Sequence, residues 1–197
     1  WVISNQECTD FLASLLLAAC RNKLASVMLL VLDVCPKLTH CTVTVLSLLS
    51  SHVMSAVPLL HQLIWQLPVD VFKHILHVVV DDAGHAAQLT QLVLQKDRDG
   101  MTALHHAARG GTGRTVLTKL LSLCCESHES REKCETAQVV NQPDRWGRTL
   151  LHWAVVNGHR TAVSTLLEFG AKMDLCDSQG ETPLATAERR AQCRAAD

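Results

Sequence analysis

Short leucine-rich apolar runs separated by polar breaks fill the first half of the chain, as in "LLLAAC" and "VMLLVL". Apolar pairs recur at Leu29–Leu30, Leu59–Leu60 and Leu92–Val93. This rhythm predicts about six amphipathic helices in three pairs over residues 1–96. A continuous helical solenoid is the favoured interpretation. The alternative is a separate helical bundle packed on the second half.

The second half has a different pattern, in which a polar turn precedes a threonine and an apolar helix. It occurs three times, as "DRDGMTALHHAARGG", "DRWGRTLLHWAVVNGH" and "DSQGETPLATAERRA". Gly147 and Gly180 are 33 residues apart, and Gly100 and Gly147 are 47 apart, which is the same period plus an insertion of 14. A fixed period of this length indicates a repeat protein.

The residue types at these positions fit a turn followed by a helix. Gly100, Gly147 and Gly180 suit a turn that needs a positive φ. Each threonine can cap the helix that follows it, and Pro183 fits a first helical position because its missing N–H costs nothing there. Gly111 and Gly158 are predicted to end the first helix of their units, and the leucine pairs are predicted to lie on the buried face of the second.

The three segments resemble the ankyrin repeat family, whose signature is T-P-L-H-x-A. The resemblance implies an all-α, ankyrin-repeat-type helical solenoid with short hairpin turns. It also implies binding of another protein or peptide, without a cofactor or catalysis. Ala103 and Leu150 depart from the signature proline, and Ala185 departs from the signature histidine. The matching residues are Thr102, Leu104, His105, Ala107 and Ala108, then Thr149, Leu151, His152, Ala154, Gly158 and His159, then Thr182, Pro183, Leu184 and Ala187.

This organisation predicts two parts, with degenerate helical repeats over residues 1–96 and ankyrin repeats over 97–197. The second part contains a charged insertion at about 124–138 and a polar C-terminal cap in "ERRAQCRAAD". The chain starts at Trp1 without an initiator methionine, so we expect it to be a piece of a longer protein.

By the family pattern, residues beside the turn glycines lie at hairpin tips, and those late in the first helix line a concave surface. Tryptophan and arginine often dominate binding energy at such surfaces. Trp146 is interpreted as an interface residue, with packing on the neighbouring tip as the alternative, and Trp153 as a core residue. The predicted tip residues are Arg98, Asp99, Met101, Arg145, Trp146, Arg148, Ser178, Gln179 and Glu181, and the predicted groove residues are Arg109, Val156, Asn157 and Arg189.

Composition and charge bear on nucleic-acid binding, on membrane insertion and on the cellular location. The net charge of −1 gives no broad attraction to nucleic acid. Charges at Asp10, Arg21, Lys23 and Asp33 break the apolar N-terminal run, so no membrane span is expected. Nine scattered cysteines, an odd number, and the absence of an N-x-[ST] sequon favour an intracellular location, in the cytoplasm or nucleus.

The insertion raises the possibility of a zinc site, because it holds Cys124, Cys125, His128 and Cys134. Structural zinc sites usually draw spaced ligand pairs from two arms. The favoured interpretation is therefore a solvated loop or helix extension, and no metal or other cofactor is predicted. No HExxH, GxSxG or CxxC motif occurs, which disfavours an enzyme.

The predicted function is an adaptor or scaffold that binds a partner protein or peptide, with other domains of its own full-length chain as an alternative partner. The first alternative is a regulatory or substrate-recruiting domain of a larger enzyme, such as a ubiquitin ligase or kinase, or of a channel. The second is a structural subunit of a large assembly.

Overall fold

The chain divides into two compact units, Trp1–Val93 and Leu94–Asp197. The computed structural model describes residues 85–111, 114–126 and 133–195, together with isolated positions before residue 85. Helix α1 spans His85–Leu94, and all of its residues except Leu94 belong to the first unit. Leu89 and Val93 are buried, as are the isolated residues Met28, Leu60 and Ile64. The helix pairs predicted over residues 1–96 fall mostly outside the described residues and stay a prediction, as does the boundary at residue 96.

The second unit is a stack of short helices. Its helices are α2 Ala103–Gly110, α3 Arg114–Glu126, α4 Lys133–Val140, α5 Leu150–Val156, α6 Arg160–Glu168 and α7 Pro183–Ala195. Helix α5 packs against both α2 and α7, while α3 packs on α2 and α6 packs on α5. The described ranges contain helices and turns but no strand. The predicted all-α helical solenoid is therefore confirmed.

Small residues on the first helices and leucines on the second helices form the core. Ala107, Ala108 and Ala154 are fully buried, which allows the first helices to approach closely. On α3, Leu120 and Leu121 are both buried, as predicted for a leucine pair, and each contributes about 1.5–3 kcal/mol by burial. The pair on α6 differs from the prediction, because Leu166 is buried but Leu167 is 39% exposed.

The three turns before α2, α5 and α7 share one construction built around an aspartate. Asp97, Asp144 and Asp177 each accept hydrogen bonds through Oδ1 from the backbone N–H groups two and four residues later. Gly100, Gly147 and Gly180 have φ values of 72°, 75° and 78°. The prediction that these glycines adopt a positive φ is confirmed.

Successive turns are also joined to one another by their backbones. The Arg145 N–H donates to the Asp99 carbonyl at 3.0 Å, and the Ser178 N–H donates to the Trp146 carbonyl at 2.8 Å. These bonds pair groups that a lone turn would leave to water. Each tip is therefore fixed in position by the tip beside it.

Histidine and threonine together cap α2 and α5. The Thr102 N–H donates to Nδ1 of His105 at 3.1 Å, with the Thr102 hydroxyl 2.9 Å from the same nitrogen. Because Nδ1 accepts from an N–H group, Nε2 carries the proton and donates to the Gln142 carbonyl at 3.2 Å. Thr149 and His152 repeat this arrangement, with Nε2 of His152 3.0 Å from the Glu181 carbonyl. Each histidine thus joins its own cap to the next turn.

Helix α7 is capped by threonine alone. Ala185 replaces the histidine, and the Thr182 hydroxyl accepts the Ala185 N–H at 3.2 Å. Pro183 is the first residue of the helix, as predicted. The described C-terminal residues include exposed Glu188 and Arg189, but Leu184 is 62% exposed, whereas its equivalents Leu104 and Leu151 are buried. The polar C-terminal cap stays a prediction.

Replacing Thr182 with alanine is expected to lower the free energy of unfolding by about 1 kcal/mol, because the Ala185 N–H loses its acceptor. Urea denaturation followed by circular dichroism at 222 nm measures this change. Thr182→Ser keeps the hydroxyl and serves as the control. An equal loss in the serine variant would show that the hydroxyl is not the stabilising group.

The insertion contains a helix that the sequence did not predict as a separate element. Helix α3 continues to Glu126, and α4 packs on it. After α4, the Asn141 side chain donates to the Gly170 carbonyl at 3.0 Å and accepts the Lys172 N–H at 2.8 Å. These bonds tie the end of the insertion to the loop after α6. No helix in the described part of the chain has the length and apolar character that a bilayer crossing requires.

Candidate partner-binding surface

Two tryptophans and three arginines come together in the second unit, and we call them the tryptophan–arginine cluster: Arg109, Arg145, Trp146, Arg148 and Trp153. The two indole rings meet edge to face, with centroids 6.3 Å apart and an interplanar angle of 73°. Arg109 and Arg148 place Cζ 5.2 Å and 5.4 Å from the Trp153 centroid. Arg145 places Cζ 4.5 Å from the Trp146 centroid. Cation–π contacts of this kind are worth about 0.5–1 kcal/mol each at exposed sites.

The cluster draws on two adjacent units. Arg109 lies in the last turn of α2, Trp153 lies on α5, and the other three residues belong to the turn before α5. The side-by-side packing of α2 and α5 brings Arg109 to Trp153. The Arg109 carbonyl lies 3.0 Å from Nε2 of His159, and the His159 ring lies over Gly111. The end of α2 is therefore held by the loop that follows α5.

One buried carboxylate organises the centre of the cluster. Oδ2 of Asp144 accepts the Trp153 indole N–H at 2.9 Å. Its Oδ1 accepts the backbone N–H groups of Trp146 and Arg148 at 2.8 and 2.9 Å. Asp144 therefore fixes the turn and the orientation of the indole together.

In the preceding unit the turn aspartate makes the same kind of contact, with a histidine in place of the tryptophan. Oδ2 of Asp97 lies 2.9 Å from Nε2 of His106, at the nine-residue spacing that separates Asp144 from Trp153. Burial raises the pKa of Asp97, but hydrogen bonds from His106, Met101 and Asp99 outweigh burial and leave this pKa below its ordinary value. Asp97 therefore stays ionised at neutral pH.

Trp153 is half-buried, so the prediction that it is a core residue was wrong. Its indole contacts two guanidinium groups and a carboxylate, which keep one side of the ring outside the apolar core. The signal was present in the sequence, because the equivalent position of the preceding unit is the polar His106. Trp146 is also half-buried, packed against Trp153 and under Arg145. Its predicted interface role stays a prediction.

The charges around the cluster are unevenly compensated. Arg145 forms an ion pair with Asp99 at 2.6 Å. Arg148 reaches Oδ2 of Asp177 only through Nε, at 3.4 Å. Burial raises the pKa of Asp177, but hydrogen bonds from the backbone of Glu181 and Gln179 and from Arg148 leave this pKa lowered. Arg109 is exposed and has no carboxylate partner among the described residues.

Met101 does not belong to the surface predicted from the sequence. Its side chain is only 1% exposed, although its position follows the turn glycine as Arg148 does in the next unit. An apolar side chain can pack inward there, whereas an arginine must keep its charge in water. The inclusion of Met101 among the tip residues was therefore wrong.

The remaining predicted residues lie at the edges of the cluster or beyond it. Arg189 is exposed and pairs with Glu181 at 2.7 Å. The Asn157 side chain donates to the Trp153 carbonyl at 2.8 Å, so it helps to end α5. Arg98 and Gln179 are exposed, and Asp99 and Val156 are half-buried.

Metal-binding residues do not gather within the described ranges. No group of three histidine, cysteine, aspartate or glutamate side chains there could hold an ion. Cys124 is buried. His128 lies outside the described residues, as do the side chains of Cys125 and Cys134. The sequence interpretation of this segment therefore stays a prediction.

The fold and the cluster define a class of protein, a helix-pair repeat protein that displays a surface across its turns. Comparison with known families identifies the repeats. The family described as "Ankyrin repeats (3 copies)" matches residues 116–196. This part of the chain therefore consists of ankyrin repeats, and the resemblance inferred from the sequence is confirmed. Ankyrin repeats are protein–protein interaction modules and generally are not enzymes.

The chain was also compared with curated proteins and with solved structures. A search of curated proteins found none that matches the sequence. Among solved structures, the chain is similar to a chain in the crystal structure of the yeast ribosomal protein Rps3 in complex with its chaperone Yar1. The match has 24% identity and a TM-score of 0.50, and it covers 64% of this chain and 77% of that chain. At this identity the similarity shows a shared fold.

Proposed function

We propose that the domain is an adaptor or scaffold that binds a partner protein through the tryptophan–arginine cluster and the adjacent hairpin tips. The observation that carries this proposal is the presence of two half-buried tryptophans and three arginines on one surface. Tryptophan buries a large area at an interface, and arginine offers several donors in a fixed fork.

The rigidity of this surface supports the proposal. Asp144 holds the turn and the Trp153 ring, and the backbone bond from Ser178 to Trp146 holds the tip. Side chains that are already ordered lose little conformational entropy when a partner docks. The cluster is therefore preorganised for binding.

Two further observations are consistent with this role and its setting. The structurally similar chain comes from a complex between a ribosomal protein and its chaperone. Cys176 is an exposed free thiol, which suits a reducing compartment. On these grounds we place the proposed adaptor inside the cell.

The double variant Trp146→Ala, Arg148→Ala is expected to lose a partner protein that the wild-type chain captures from cell extract. Truncation of residues that dominate an interface costs about 2–4 kcal/mol, enough to remove a micromolar partner from a washed resin. Capture followed by mass spectrometry with stable-isotope labelling measures the loss.

Leu167→Ala, Arg160→Ala is the matched control. It removes one partly exposed apolar side chain and one exposed arginine from α6, away from the cluster. Both variants are first shown to melt within a few degrees of wild type. If both retain the same partners as wild type, binding does not use the cluster and the proposal fails.

A further inference from the structure

We infer, resting on the proposed function, that the bound partner segment is acidic and that Arg109 and Arg148 together hold one of its carboxylates beside Trp153. The two guanidinium groups lie within 5.2 and 5.4 Å of one indole ring, one contributed by α2 and the other by the turn before α5. A carboxylate bound beside this ring is expected to accept hydrogen bonds from both units.

The two arginines have unused donors. Among the described residues, Arg109 forms no side-chain hydrogen bond, and Arg148 uses only Nε, at 3.4 Å from Asp177. Most of the acceptor capacity of the nearby buried carboxylates is used by other groups. Asp144 receives three N–H groups, and Oδ1 of Asp177 receives two. The protein therefore supplies two like charges on one ring without a carboxylate that satisfies both.

The groups around the Trp153 ring favour binding of an anion. A lysine or arginine of the partner would meet two guanidinium groups where it needs a free indole face, so like charges would repel it. The indole N–H is already donated to Asp144, which leaves the arginines to provide the donors. A carboxylate matches the fork geometry of a guanidinium group and can accept two parallel bonds.

The distribution of charge favours a peptide over a nucleic acid. Nucleic acids require a continuous basic surface that follows many phosphates. Here Arg145 is paired with Asp99, and Arg189 is paired with Glu181. Within the cluster, the donors left for a ligand are those of Arg109 and the terminal nitrogens of Arg148, whose Nε contacts Asp177. They are enough for one acidic side chain.

Selection from a phage-displayed library of random dodecapeptides tests the inference. The wild-type chain is expected to enrich peptides rich in Asp and Glu next to an apolar residue. A selected peptide, synthesised with a fluorescent label, should bind about tenfold more weakly to Arg109→Gln, Arg148→Gln, and more weakly in high salt. The control Arg114→Gln, Arg160→Gln changes net charge equally on α3 and α6 and should leave its affinity unchanged.

The possible results separate the inference from the proposed function. Peptides without acidic enrichment, acidic peptides that bind the Arg109 and Arg148 variant as tightly as wild type, or no selected peptides would each overturn the inference. If the partner from extract is still lost with the Trp146 and Arg148 variant, the adaptor proposal survives that failure. A labelled RNA dodecamer is titrated in parallel, and cluster-dependent RNA binding without peptide binding would overturn the inference in favour of nucleic acid.

Discussion

Replacing Gly147 with alanine is expected to lower the free energy of unfolding by about 3–4 kcal/mol, because a strained backbone and a collision act together. Gly147 has φ 75°, where a side chain costs about 1–2 kcal/mol. A Cβ there would lie 2.8 Å from the Ser178 backbone nitrogen and 3.1 Å from the Asp177 carbonyl carbon. These are backbone atoms, so one tip must move away from the next and weaken the bond from Ser178 to Trp146.

Gly180 provides the matched control for this prediction. It occupies the same position in the next turn, with φ 78°, but no described atom lies within 4 Å of the place that a Cβ would take. Gly180→Ala is therefore expected to cost only about 1 kcal/mol, from backbone strain partly offset by a less flexible unfolded chain. Urea unfolding of both variants, with fitted m-values, measures the difference. Equal losses would show that contact between successive tips contributes nothing to the stability of the stack.

The second prediction concerns the loss of folding stability at acidic pH. Burial lowers the pKa of His105 from 6.5 to about 4, with a smaller opposing effect from the Asp144 carboxylate. The unfolded chain therefore binds more protons than the folded chain between these two pH values, and stability falls as pH falls from about 6.5 to about 4. The stability from this group is fully present above pH 6.5, and its loss amounts to about 3 kcal/mol.

His105→Gln isolates this contribution, because glutamine does not titrate and can still accept the Thr102 N–H. The variant is expected to be less stable than wild type at pH 7 but to lose less stability down to pH 4. Asp97 and Asp177 have lowered pKa values, so their stabilisation is present above about 3.8 and is lost only below that range. Urea midpoints in steps of half a pH unit measure both curves. Parallel curves would show that His105 is not the titrating group.

The turns are the part of the fold that the sequence predicts best. Each predicted turn glycine has a positive φ because the requirement is local, set by the aspartate and the residues between them. The threonine caps were predicted for the same reason. The sequence does not predict that His105 also bonds to the Gln142 carbonyl, because that contact joins residues 37 positions apart.

The candidate surface was predicted only in part. Trp146 and its flanking arginines were selected from residue type and position, and the structure adds Trp153 to them. Met101 was assigned to the surface because its position resembles that of Arg148. Position in the repeat does not distinguish Met101 from Arg148. The polarity of the side chain decides that Met101 is the buried one.

The sequence alone predicts the period of the repeats, the turn glycines and the beginning of each first helix, because these depend on backbone conformations that few residue types satisfy. The packing of the units determines which side chains the next unit covers, where Arg109 meets Trp153, and which arginines keep unused donors. Those properties depend on contacts between residues far apart in the chain, such as Arg109 with Trp153 and Arg148 with Asp177. The period predicts that units are adjacent, whereas the packing of particular side chains decides what the joined surface can bind.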